Sequence, residues 1–235
     1  MSEWIEYLLY LFEFHSIITS ARDGRNAEST GKYWLLKVFT VLEHIQDDVV
    51  LSGNVYFDEM FFSVIERKKE KKDGKKLRGI SRNKIAVAVA CDENGHKVMI
   101  DERTSKPSKH STWEAMGKHI KSGSHLIHDG ENSHSILFEK LSLTEEIYPT
   151  NVTKKLPDKD NPLDPINDLH SLIRRYMRVH GGYDRSHLQD WMNLISFILS
   201  DPVNRYEKVK KFINIAIISP QKVKYRDVMS RKKLK

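Results

Sequence analysis

The chain has a single cysteine, Cys91, among its 235 residues. No intramolecular disulfide and no cysteine-built zinc site can be assembled from it, which excludes secreted disulfide scaffolds and fits a reducing, cytoplasmic setting. Glycine and proline are also few, 11 and 7, so neither a fibrous repeat nor a long low-complexity linker is expected. Long apolar runs are missing as well. The most apolar stretch near the start, Trp4 to Ile18, follows Glu3 and is broken by Glu6 and Glu13, with no basic segment ahead of it. It reads as an amphipathic helix rather than a signal or an anchor, and no membrane partner is expected.

Acidic residues are outnumbered, 32 against 39 Lys and Arg, for a formal charge of +7. That excess points to an acidic partner, most commonly a polyphosphate backbone. An ordinary basic surface gives the same count. A hydrophobic content of 39% is enough for one good core plus a small appended module.

Residues 1–49 carry apolar side chains at helical spacing, first Trp4, Leu8, Leu11 and Phe12, then Trp34, Leu35, Val38, Leu42 and Ile45, divided by Asp23-Gly24. Two helices around a turn are expected. The second, Ala27 to His44, would serve as a recognition helix with Arg25, Lys32, Tyr33 and Lys37 near its leading end, or as half of a plain helical hairpin. From Val50 the pattern changes to "NVYFDEMFFSVI" and "KIAVAVACDENGHKVMID", a three-stranded meander with "DENG" as a hairpin turn. A helix from Thr112 to Lys121 follows, then a strand "SHLIHDG", a helix "SHSILFEKL" and a strand "EEIYPT". A polar connection with three prolines runs from Lys154 to Pro165, and helices at Pro165–Val179 and Arg185–Leu199 close the domain. The fold class is α/β, a mixed sheet covered by helices. The expected division is a helical module at 1–49, an α/β domain at 50–219 and a basic tail at 220–235.

Asp58 and Glu59 interrupt an otherwise apolar strand. A carboxylate facing a sheet interior is costly unless it is paired or holds a metal, and alternation sends one of the two to each face. Asp129 ends the short strand "HLIHD" before Gly130, where an open sheet presents groups at its carboxyl edge. Two such carboxylates suit Mg²⁺ or Mn²⁺. The plainer alternative makes Asp129-Gly130 a turn and Asp58 an edge-strand surface residue. On the helix "PINDLHSLIRRYM", Asn167, His170 and Arg174 fall at i, i+3 and i+7 and share one face. Asn and His can donate to a metal and Arg can grip phosphate, although a solvated helix face has the same look.

The strongest charge feature is "ERKKEKKDGKKLRGISRNK", with ten Lys or Arg against three acidic residues. Lys71, Lys72, Lys75, Lys76, Arg78 and Arg82 on this loop would hold a DNA backbone without reading its sequence, or would merely solubilise a hairpin.

In their order, "VYFDEMFF", the basic loop ending "RGISRNKIAVAVACDENG", "HLIHDGENS", and "INDLHSLIRRYM" followed by "GGYDRSHLQDWMNLISFIL" resemble the DDE-type transposases of small bacterial insertion sequences. The likeness is to the ISXO-like group, whose third catalytic position is often Asn, and it spans about residues 50–200. It implies a ribonuclease-H-like fold in which Asp58 and Asp129 bind Mg²⁺ or Mn²⁺ and Asn167 is the third catalytic and metal-binding position. His170, another catalytic candidate, stands where many relatives carry Glu, and Arg174 would contact DNA. The implied activity is metal-dependent cleavage at element ends and strand transfer into target DNA by a homo-oligomer. Such transposases commonly begin with a cysteine-rich zinc ribbon that one cysteine cannot build, so an N-terminally shortened copy is expected. The alternative is a non-catalytic DNA-binding remnant or regulator derived from a transposase.

Overall fold

The computed structural model describes residues 2–64, 71–72, 75–77, 81–153, 155–157, 160–221, 223–224 and 226. Its strands are β1 (Asn54–Ser63), β2 (Lys71–Lys72), β3 (Lys75–Lys76), β4 (Lys84–Asp92), β5 (Lys97–Asp101), β6 (His125–His128) and β7 (Thr144–Ile147). Its helices are α1 (Ser2–Phe12), α2 (Ile17–Asp23), α3 (Glu28–Val41), α4 (Lys109–Met116), α5 (Ser135–Leu141), α6 (Thr150–Thr153), α7 (Asp164–Val179), α8 (Leu188–Leu199) and α9 (Arg205–Ile218). They fall into two compact units, neither a single stretch of chain. One gathers 1–45, 174–183 and 193–235, the other 46–173 and 184–192.

The second unit is built on a five-stranded sheet in the order β5-β4-β1-β6-β7. The meander β1-β4-β5 is antiparallel, whereas β6 joins β1, and β7 joins β6, in parallel. The "DENG" turn forms as expected. The Asp92 carboxylate accepts from the backbone N–H of Asn94 at 3.0 Å and of His96 at 2.9 Å, and Gly95 supplies the positive φ of 86°. β4 carries a continuous apolar run because it lies inside the sheet with both faces covered. On one face Val55, Phe57, Ala88, Ala90, Val98 and Leu126 pack with Ala115, Met116 and Leu137 of α4 and α5. α4 begins three residues earlier than Thr112 and stops at Met116 rather than Lys121. Ser108 and Ser111 form a capping box, with Ser111 N–H donating to Ser108 Oγ at 3.1 Å, and so fix the first turn.

The other unit shows three N-terminal helices where the periodicity suggested two. α1 stops at Phe12, Phe14 takes a left-handed φ of 66°, and Ser16 Oγ accepts from Thr19 N–H at 3.1 Å to start α2. α2 and α3 are joined through Arg25, itself left-handed at φ 58°. They cross closely because position 31 is glycine: a Cβ there would lie 2.7 Å from that of Ala21. α9, with no counterpart in the sequence reading, is capped by Asn204 and packs on α1, Phe212 stacking on Trp4 at 5.8 Å between ring centres. Further bonds in this unit run from Tyr176 Oη to the Leu11 carbonyl (3.2 Å) and from the Asn193 amide to the Glu43 carbonyl (3.0 Å). Among the described residues no helix is long and apolar enough to cross a membrane.

Candidate active site

β1 alternates as a strand between two covered faces must, and the alternation separates its two acids. Asp58 lies on the face away from Phe57, with 29% of its side chain exposed, whereas Glu59 is buried beneath the opposite face at 4%. The parallel ladder between β1 and β6 pairs Asn54 with His125, Val55 with Leu126 and Tyr56 with Ile127, and there it ends. Asp129 directly follows β6 at the carboxyl edge, beyond the last bonded pair of the two strands, and its charge acts on Asp58. Open parallel sheets hold their ligands in such a crevice.

The Asp58 carboxyl is pushed up to about 7, first by burial, then by the charges of Asp129 and Glu59, against the lowering effects of the Glu59 N–H and of His134. The Glu59 N–H donates to Asp58 Oδ1 at 2.8 Å, and the Glu131 N–H donates to Asp129 Oδ1 at 3.0 Å. Asp58, with the charge of Asp129 beside it at an open sheet edge, contributes to an oxygen-rich donor set of the kind that hard divalent cations favour.

His170 of α7 is buried and places Nδ1 3.7 Å from Asp58 Oδ2. Asn167, one turn earlier, is exposed, so this first part of α7 turns the imidazole inward and leaves the amide in solvent. Arg174 is exposed on the later part of α7. In the basic loop, Lys71 pairs with Lys76 and Lys72 with Lys75 in a two-residue antiparallel ladder. Lys72, Lys75 and Arg82 are exposed, while Arg78 and the side chains of Lys71 and Lys76 lie outside the described residues. In the helical module Arg25 and Lys32 are exposed, and the Tyr33 hydroxyl donates to the Val223 carbonyl at 3.0 Å.

The sequence reading missed what lies on the reverse face. His134 Nε2 sits 3.0 and 3.1 Å from the two oxygens of Glu59, and its Nδ1 is 2.8 Å from His128 Nδ1. His128 Nε2 in turn faces Glu145 Oε2 at 3.5 Å. Close to this network, Glu102 is raised to about 7, chiefly by burial and despite the Ser111 hydroxyl that donates to it at 2.6 Å. His128, Asp129 and His134 also offer ligand atoms that all lie within 4.8 Å of one another. The signal available in the sequence was the segment "HDGENSH", in which two histidines bracket Asp129, together with the second acid of "DE".

The sheet order, with the second strand antiparallel to the first and third and the last two parallel to the first, is the ribonuclease-H-like arrangement. With paired aspartates at the edge of its first and fourth strands, the chain falls in the class of transposase catalytic domains on that fold. It belongs to the family of the ISXO2-like transposase domain, which matches residues 50–211. No curated protein matches it. Among solved structures it is similar to the catalytic domain of Mos1 mariner transposase, at 10% identity over 81% of this chain and 93% of that one, with a TM-score of 0.34. A pre-cleavage Mos1 transpososome (9% identity, 88% and 75% covered, TM-score 0.29) and a Mos1 mariner paired-end complex with Mn (12% identity, 88% and 75% covered, TM-score 0.32) are similar at the same low level. The assignment rests on the family match and on the strand order.

Proposed function

We propose that the chain is a DNA transposase of an insertion sequence that cleaves element ends and joins them to target DNA with Mg²⁺ or Mn²⁺. Residues 50–219 are its catalytic segment, and 1–49 and the basic tail at 220–235 serve DNA contact. The observation that carries this reading is the pairing of Asp58 with the charge of Asp129 at the parted edge of β1 and β6. The oxygens of Asp58 and Asp129 would hold the ion, a hard donor pair that fits it, with the exposed amide of Asn167 as the third position that the family likeness implies. A bound divalent ion polarises a phosphate and activates an attacking oxygen. His170, buried against Asp58, orients the carboxylate and any water or phosphate beside it. The exposed lysines of the β2-β3 hairpin, with Arg82 and Arg174, hold the DNA backbone. The working species is a homo-oligomer on paired ends in the cytoplasm, associated with the nucleoid.

The test is cleavage and strand transfer on DNA carrying the element's own ends. Asp58→Asn and Asp129→Asn should each abolish both reactions while DNA affinity stays near that of the wild type. In the same assay Asn167→Ala should be inactive in either metal. Retained cleavage by either aspartate variant overturns the proposal, and an active Asn167→Ala beside a dead His170→Ala moves the third position to His170. Cleavage without strand transfer would make the chain a nuclease on this fold.

A further inference from the structure

Directly behind the two aspartates, three buried side chains form one hydrogen-bonded chain whose protons can be assigned. The Gly130 N–H donates to His128 Nδ1 at 3.2 Å, so that nitrogen is an acceptor. The His134 Nδ1 at 2.8 Å from it must then be the donor. On its other side His134 Nε2 meets both oxygens of Glu59, and a carboxylate only accepts. With Glu59 ionised, His134 carries a proton on each nitrogen, an imidazolium with 0% of its side chain exposed. Burial alone would lower its pKa, but the bond to Glu59 reverses the direction and the ring is raised.

A buried ion pair contributes little net stability over an apolar replacement, so stability alone does not account for this one. The location supplies a geometric role. Glu59 follows Asp58 in β1 and His128 precedes Asp129 in β6, while the backbone ladder between these strands has ended at Tyr56 and Ile127. Past that pair no main-chain ladder fixes how far apart the two strands stand, and the two aspartates repel each other.

We infer that His134 is a positioning residue, a cationic clamp that ties Glu59 to His128 from behind the sheet and thereby sets the separation of Asp58 and Asp129. The inference rests on the metal-binding role proposed above for those aspartates. Phe57, whose ring centre is 4.4 Å from that of His134, and Phe138, 5.4 Å from His128, wall the clamp and keep its bonds out of water.

The two links can be cut one at a time. In His134→Gln the amide stands near the former Nε2 and keeps a donor toward Glu59 but loses His128, and His134→Asn does the reverse. Mn²⁺ affinity is measured by titration calorimetry on the full chain without DNA, alongside melting temperature and DNA affinity. Each variant should bind Mn²⁺ about ten-fold more weakly, the loss typical of outer-shell partners of metal ligands, with DNA affinity unchanged. Glu59→Gln, whose amide oxygen still accepts from Nε2–H, should stay closer to the wild type than either. Wild-type Mn²⁺ affinity in both folded His134 variants overturns the clamp. If those variants do not fold, Glu59→Asp, which keeps the charge pair but shortens it, decides on the same readout. Asp58→Asn separates the two levels: loss of Mn²⁺ there with none in the clamp variants sinks only the clamp, whereas no loss in Asp58→Asn sinks the metal reading with it. A Zn²⁺ ion bound by the wild type and lost in both His134 variants would make the rings a ligand set and also overturn the clamp.

Discussion

At the scale of single residues, the acids of this protein divide by what neutralises them. Asp92 is buried yet its pKa is lowered, because donation by His96 and by backbone N–H groups outweighs burial. Glu102 has one good donor, Ser111 Oγ, while its Oε1 is buried without a hydrogen bond among the described residues, and its pKa rises to about 7. The linkage sign follows. A carboxyl whose folded pKa is raised favours the protonated form, so its stabilising contribution is present at pH 4 and is lost as pH climbs toward 7. Glu102→Gln removes the charge and keeps an acceptor for Ser111. Its melting temperature should match that of the wild type near pH 4 and exceed it at pH 8, and an equal difference at both pH values would refute the burial account. Asp58 stood out in the sequence because an acid inside an apolar strand needs an explanation, and Asp129 because it closes a short strand just before Gly130. The Glu59-His134-His128 chain did not, because its members are distant in sequence and meet only once β1 and β6 lie side by side.

Among the elements, strands with a strong pattern were readable and elements without one were not. β1, β4, β5 and the turn between the last two follow from alternation and from Asp92 and Gly95, and the short parallel strands β6 and β7 were found at their expected places. α2, only seven residues long, was merged with its neighbours, since two apolar positions at its start do not make a periodic stripe. α9 was missed because its sequence, RYEKVKKFINIAII, mixes buried Lys208, Val209 and Phe212 with exposed Ile217 and Ile218, which blurs its apolar face. The β2-β3 hairpin was foreseen as a basic loop, and its charge is the feature to test. Replacing Lys71, Lys72, Lys75 and Lys76 with Gln should flatten the slope of log affinity against log salt by roughly 0.9 for each DNA phosphate that is no longer neutralised. An unchanged slope would make the hairpin a solvated arm with no part in binding.

The whole molecule is less modular than its sequence suggests, and this bears on how it can be cut. A boundary near residue 50 follows from the change of period there, but the helical unit is completed by 174–183 and by 193 onward. The reason is burial. Within that unit Phe12 packs edge-on against Phe197 at 5.5 Å and Phe212 at 5.8 Å, Tyr176 is fully buried with its hydroxyl on Leu11, and Trp4 stacks on Phe212. α8 and α9 thus bury large aromatic faces against α1, and each such side chain returned to water forfeits about 1.5–3 kcal/mol. A fragment spanning 46–219 would retain all five strands of the sheet and every proposed metal ligand, yet it would expose Tyr176, Phe197 and Phe212 together. It should melt well below the full chain and associate through that face, as read by thermal denaturation and light scattering. Supplying residues 1–45 as a separate peptide should raise its melting temperature again. A 46–219 fragment that stays monomeric and melts with the full chain would show that the first three helices are an appendage rather than part of this core.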